Sequence, residues 1–378
     1  MMLIVMTKLV HIPSLLLMLF AFCNCDQEEV DARVVLPENL EVSLDKRANG
    51  QVRIGFTAEK ANFFRVSFGT DGEMPELVSG NETTFRYTEP GVFTIRVQAH
   101  ATETDFISEE ASVTISEADL GLGIPSSGFT SPESYEGYSL SWRDEFEGTT
   151  LSNDWVAETG DGCPNLCGWG NNELQFYRRE NARVNEGYLV ITAKEESIGG
   201  RNYTSTRLKT QGRQQFQFGR IDIRAALPKG QGIWPAFWML GESITTTPWP
   251  ACGEIDIMEM IGGAADGRDN TVHGTLHWDT NGTYSTAGGK TSLAEGAILN
   301  DNFHVFSIIW TEESITWLLD NEAYHEIPIT GNAMDEFREP FFLLINLAVG
   351  GNWPGSPDAS TNFPQQLVVD YVRVFEKD

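Results

Sequence analysis

Basic side chains are scarce: 26 Lys and Arg stand against 54 Asp and Glu, a formal net charge of -28. A field of that sign repels phosphate backbones and anionic bilayers, which excludes nucleic acid as a partner and makes any glycan ligand neutral rather than sulfated or carboxylated. The five cysteines are too few for a disulfide scaffold and wrongly spaced for a zinc site. No His-Glu-x-x-His, Gly-x-Ser-x-Gly or dinucleotide-binding glycine pattern occurs, and Gly289-Lys290-Thr291 lacks a phosphate loop's earlier glycine because Tyr284 stands there. Long helical periodicity is missing as well. The 36 Gly and 16 Pro break the chain at short intervals, so the sequence reads as turns and many strands, an all-β protein.

Apolar material is plentiful. Hydrophobic residues make up 41 % of 378, with 22 Phe, 10 Trp and 9 Tyr, enough for a large core and incompatible with wholesale disorder. The apolar run Leu15–Phe22 is too short to span a bilayer as a mature helix and suits a signal peptide. Cys23, Asn24 and Cys25 follow, then Asp26, Gln27, Glu28 and Glu29, which resembles a bacterial lipoprotein signal. Residues 1–25 are therefore expected to direct export, with Cys25 lipidated and the protein tethered to an outer-membrane or cell-surface face. Soluble secretion is the alternative. The remaining cysteines, Cys163, Cys167 and Cys252, leave one unpaired, and spacing does not choose between Cys163–Cys167 closure and competition by Cys252.

Residues 26–116 read as a small immunoglobulin-like β-sandwich with clear strands at Gln51–Phe56, Asn62–Phe68 and Gly91–Ala99. The segment Thr84–Ile95 resembles the end of a polycystic-kidney-disease-type module, which implies a spacer. Residues 117–137 lose periodicity and are rich in Gly, Ser and Pro, as in a linker. From 138 to 378, strand signals recur at Tyr188–Ala193, Gly219–Ala225, Ile315–Leu319, Phe341–Val349 and Leu367–Phe375, consistent with one large sandwich.

The chemistry concentrates in Gly253-Glu254-Ile255-Asp256-Ile257-Met258-Glu259-Met260. On a strand, Glu254 and Asp256 share one face while Ile255 and Ile257 enter the core. Strict alternation would bury Glu259 among apolar groups, at several kcal/mol for an unpaired charge. A β-bulge at Ile257 or Met258 returns Glu259 to the acidic face. Two glutamates brought to about 5 Å suit a retaining glycosidase, one as nucleophile and one as acid/base, with Asp256 between them. A calcium loop would place its oxygens on a flexible, Gly-containing segment instead. Upstream, Trp234, Ala236 and Trp238 fall on one face of Gly232–Leu240, a platform on which sugar rings can stack. His277 and Trp353 lie in strand-end or loop contexts where binding groups collect.

The Glu254–Glu259 motif and the Trp234–Leu240 segment together resemble the catalytic signature of glycoside hydrolase family sixteen, laminarinase type. Four more segments match in order: Trp142–Phe146, Trp169–Gln175, Gly219–Arg224 and Val369–Val374. The resemblance implies a concanavalin-like β-jelly roll with Glu254 as nucleophile, Asp256 as its assistant and Glu259 as acid/base. It places Trp234, Trp238, His277, Asn171, Arg207 and Trp353 around the sugar, and implies no cofactor for catalysis. A structural calcium drawing on Glu145, the Gly187 carbonyl and Asp370 is a further implication, alongside a buried acid paired with Arg373 or a backbone N–H as the other reading of Asp370. The bulge separates this pattern from the lichenase type, and the Trp-Pro-Ala-Phe-Trp-Met-Leu run from agarases and carrageenases. A monomeric hydrolase of neutral β-1,3-glucan is the resulting expectation. Transglycosylation, mixed-linkage or galactan substrates, and glycan binding without turnover are its competitors.

Overall fold

The computed structural model describes residues 34–378, apart from positions 48, 49, 71, 121, 186, 264 and 332. The expected signal segment and Cys25 lie outside the described residues. No helix among the described residues is long and apolar enough to cross a membrane.

Residues 38–115 form two antiparallel sheets. One runs Glu38–Lys46, Gln51–Glu59, Glu82–Arg86; the other runs Glu76–Val78, Phe63–Ser67, Gly91–His100, Phe106–Ile115. Period-two alternation builds the core: Val52, Ile54 and Phe56 face Ile95 and Val97, while Arg53, Thr94 and Arg96 face solvent. The Tyr87 hydroxyl donates to the Phe68 carbonyl at 2.8 Å and ties the two sheets together.

The Gly- and Ser-rich stretch that follows is not a loose tether. Ser127 and Phe129 exchange backbone hydrogen bonds with Phe303, at 2.9 and 2.8 Å. Ser131 meets the Tyr371 hydroxyl at 2.8 Å, and the Tyr135 hydroxyl donates to Asp222 at 2.7 Å. Ile124 packs on Val190, Ala226, Phe303 and Val368. Composition alone reads as flexible here because these contacts are made by backbone and by single side chains, without periodicity.

The remaining strands make two facing sheets. The first, which carries the cleft, runs edge to edge Tyr284–Ser292, Thr271–Asp279, Glu254–Glu259, Ile233–Gly241, Phe341–Val349, Arg207–Lys209, Val156–Glu158. The second has ten strands, with Gln365–Lys377, Gly219–Ala226, His304–Trp310 and Ser314–Leu319 at its centre. Ile255, Ile257, Phe237 and Ile345 from the first pack against Ile221, Ile223, Phe306 and Trp317 from the second. Phe341–Val349 is buried along its whole length, as an unbroken apolar run in a central strand should be.

Trp317 crosses this core. Its indole N–H donates to the Asp256 carbonyl at 2.8 Å, and it fits because position 274, on the neighbouring strand, is glycine: a Cβ there would collide with the indole. Gly274→Ala should therefore displace Trp317 and destabilise the protein by about 1–3 kcal/mol, the usual range for overpacking a full core. A melting temperature equal to wild type would show that the indole moves aside freely.

Candidate active site

The acidic strand departs from plain alternation where the sequence requires it. Pairing with the Trp strand runs Ala236 to Glu259, Phe237 to Met258, then Trp238 to Asp256, so Ile257 is the extra residue of a bulge. On the other side Asp256 faces Thr275 and Glu259 faces His273, three steps against two. Ile257 and Met258, consecutive in sequence, both turn into the core. Glu254, Asp256 and Glu259 consequently line one cleft of about 690 Å³. Gly253 opens the strand at φ +78, where a side chain would press on the Phe341 ring.

Each carboxylate has defined partners. Glu254 Oε2 accepts from the Trp249 indole at 3.0 Å. Asp256, 3 % exposed, has Oδ2 3.0 Å from His277 Nε2, which also lies 3.7 Å from Glu254 Oε1. That Asp256 oxygen has no properly angled hydrogen bond, so the contact with His277 is one of proximity. The other ring nitrogen of His277 sits 2.7 Å from the Tyr284 hydroxyl, which fixes the ring. Glu259 Oε1 accepts from the Trp234 indole at 3.0 Å.

Burial and mutual repulsion set the electrostatics. Loss of solvent and then the Asp256 charge push Glu259 up to about 8, against the pull of His277 and the Trp234 N–H. Glu254 is raised chiefly by burial and next by Asp256, and Asp256 by burial. Three carboxyls this close do not all ionise at neutral pH, so the site holds protons that Glu254 and Asp256 share.

All the residues expected around a sugar line this cleft: Trp234, Trp238, His277, Asn171, Arg207 and Trp353. The Arg207 guanidinium lies between the Trp169 and Trp238 rings, 4.6 and 4.8 Å from their centroids, and pairs with Glu158 at 2.6 Å. Trp234 meets Trp353 edge to face, with centroids 5.7 Å apart. Sequence reasoning missed the opposite wall. Trp249 stacks obliquely on Tyr284 at 5.3 Å, and Tyr284 lies parallel to His277 at 5.8 Å. The Trp-Pro pair just before the acidic motif was the available signal for Trp249, and the Asn281-Gly282 turn that folds the strand of Tyr284 back along Thr271–Asp279 was the signal for Tyr284. Cys163 and Cys167 are disulfide-bonded, closing the loop that presents Leu166 and Trp169 to the cleft, and Cys252 is free and buried.

Known proteins give the same reading. The description "Glycosyl hydrolases family 16" matches residues 170–373. The chain belongs to that family. It is 42 % identical over 254 residues to a beta-glucanase of Rhodothermus marinus, covering 63 % of this chain and 85 % of that one. Over 241 residues it is 40 % identical to the clotting factor G alpha subunit of Tachypleus tridentatus, again 63 % of this chain but only 34 % of that protein, so it spans about a third of this relative's length. The laminarinase catalytic domain of Thermotoga maritima superposes with a TM-score of 0.59 at 42 % identity, covering 64 % of this chain and 99 % of that one. As a family 16 protein the chain is a glycoside hydrolase, and its large β-sandwich is the jelly roll of these neighbours.

The expected calcium ligands occupy neighbouring positions on the second sheet, away from the cleft. Strands Tyr138–Asp144 and Tyr188–Ile198 pair with successive stretches of Gln365–Lys377, so Glu145 and Gly187 flank the Asp370–Tyr371 step. Both carboxylates already have cationic partners, though not the expected one for Asp370: Arg373 gives both its bonds to Glu145, at 2.8 and 3.0 Å, and Asp370 pairs with Arg224 at 2.5 Å instead. The donors are all oxygen, the chemistry a hard cation needs, and the arginines neutralise them as they stand.

Carboxyls whose pKa is raised by folding hold protons that the unfolded chain has already released, so stability falls as pH rises from the ordinary carboxylate range toward the raised values. Asp256→Asn removes one such group and relieves its neighbours. Its melting temperature should exceed that of wild type by a few degrees at about pH 8, with the gap closing toward about pH 4. A gap that is constant with pH would show that Asp256 is ionised without cost.

Proposed function

We propose that the protein is an endo-acting β-1,3-glucanase that cleaves neutral β-glucan of the laminarin type with retention of anomeric configuration. The observation that carries this reading is the bulged strand, which brings Glu254, Asp256 and Glu259 to the floor of one aromatic-lined cleft. The names of the relatives, a beta-glucanase and a laminarinase, support the substrate class.

In the first step a Glu254 oxygen attacks the anomeric carbon, while Glu259, protonated because its pKa is raised, gives its proton to the departing glycosidic oxygen. The Trp249 N–H on the other Glu254 oxygen orients the nucleophile. In the second step Glu259, now a base, takes a proton from water, and the water displaces Glu254 from the sugar. Asp256 exchanges a proton with Glu254, which lets the nucleophile ionise when substrate excludes solvent. Indole faces of Trp234, Trp238 and Trp353 cover the C–H faces of successive rings. The net negative charge of the protein selects against sulfated glycans.

Beyond the chemistry, residues 26–116 would act as a polycystic-kidney-disease-like spacer, and a lipid on Cys25 would tether a monomeric enzyme to the cell surface. Cys25→Ser should then move the protein from the membrane fraction to the medium; retention at the membrane would place the anchor elsewhere. Glu145, the Gly187 carbonyl and Asp370 would hold a structural calcium that clamps adjacent strands and takes no part in the reaction. A chelator should then lower the melting temperature by several degrees, and an unchanged melting point would leave the two arginine pairs as the only role of these acids.

The function is tested by incubating the protein with laminarin, lichenan, agarose and carrageenan and sizing the products. Internal cleavage of laminarin, giving short oligosaccharides from the start, is expected. Binding without cleavage would make it a glycan-binding protein, and faster turnover of another polymer would move the substrate assignment.

A further inference from the structure

A fourth carboxylate, Glu173, lines the cleft and has no part in the mechanism. Glu173 is 5 % exposed and sits where the disulfide-closed loop returns to the sheet. Its Oε2 accepts from Gln175 Nε2 at 2.7 Å and from the Tyr177 hydroxyl at 3.2 Å, and its Oε1 accepts from Asn171 Nδ2 at 3.4 Å. The chain continues: Asn346 Nδ2 donates to the Tyr177 hydroxyl at 3.3 Å, and Trp238 Nε1 donates to Asn346 Oδ1 at 2.7 Å.

The direction of this chain follows from its last member. The Trp238 indole N–H can only donate, so Asn346 turns its Oδ1 to Trp238 and its Nδ2 to the Tyr177 oxygen, which leaves the single Tyr177 proton for Glu173. Asn171 is also held through its main chain, since its backbone carbonyl accepts from Asn352 N at 2.8 Å, next to Trp353. Burial raises the Glu173 pKa above the ordinary carboxylate value, and the Gln175 donor, the Arg207 guanidinium wedged between Trp169 and Trp238, and the Asn171 and Tyr177 donors oppose that rise.

We propose that Glu173 is the positioning residue of the sugar-binding floor, setting the Asn171 amide directly and the Trp238 indole through Tyr177 and Asn346. This rests on the β-glucanase reading. Glu173 touches no reacting atom, so its loss should weaken substrate binding and spare the chemical step.

The test measures kcat and KM on laminarin for the full chain and two variants. Glu173→Gln places an NH₂ where the network needs an acceptor; KM should rise roughly tenfold or more, with kcat within about threefold of wild type. Tyr177→Phe cuts only the arm to Asn346 and should raise KM by a smaller factor. An unchanged KM in Glu173→Gln, or a fall in kcat at constant KM, overturns the proposal. If circular dichroism shows that Glu173→Gln does not fold, Tyr177→Phe decides alone, and its unchanged KM is the overturning result. If wild type does not cleave laminarin, the function reading has failed instead; calorimetric binding of laminarin oligosaccharides then decides, with weaker binding in Glu173→Gln supporting the positioning role and equal binding refuting it.

Discussion

Everything in the cleft depends on one extra residue in one strand. Because Ile257 and Met258 both turn inward, the period-two rule is broken once and the carboxylates at 254, 256 and 259 emerge on the same side. Without that break, Glu259 would be pressed into an apolar layer at a cost of several kcal/mol. The bend is held from the far sheet, where Trp317 donates to the Asp256 carbonyl at 2.8 Å, and the space for its indole comes from Gly274. A site at the surface is thus fastened by a hydrogen bond through the middle of the core.

The same bend creates the electrostatic problem that makes the site reactive. Burial raises the pKa of all three acids and the Asp256 charge raises Glu254 and Glu259 further, and only a few donors oppose this: the indoles of Trp234 and Trp249, and His277 nearby. Folding pays for this crowding, as it often does at catalytic sites. The return is a carboxyl that keeps its proton at neutral pH beside another that can give its proton up. On the proposed function tryptophan serves twice, since the indole faces that would meet sugar belong to rings whose N–H groups steady the acids and the floor.

Much of this was legible in the sequence. The spacing of Glu254, Asp256 and Glu259 among Ile and Met required a bulge, because alternation would otherwise have buried a charge. Trp234 and Trp238 were readable as cleft residues by their shared face. A buried tryptophan needs an N–H partner, yet that does not separate core from cleft here, for both cleft indoles have partners, in Glu259 and Asn346. Tyr284 was missed although its strand folds back on Thr271–Asp279 as a hairpin whose Asn281-Gly282 turn is a local signal; only its ring contacts with Trp249 and His277 are tertiary. The stretch around Ile124 read as a linker since its anchoring is tertiary. Glu173 lies within the Trp169–Gln175 segment, yet nothing local marks its role, which depends on Tyr177, Asn346 and Trp238 meeting across three strands.

The central claim is that Glu254 and Glu259 are close enough to share one anomeric carbon, leaving no room for a water between nucleophile and sugar. Proton NMR of the first product released from laminarin measures this directly. Double displacement at a β-linkage predicts that the β-anomer appears first and then mutarotates. An α-anomer as the initial product would mean attack by water, and would contradict the roles given to both glutamates.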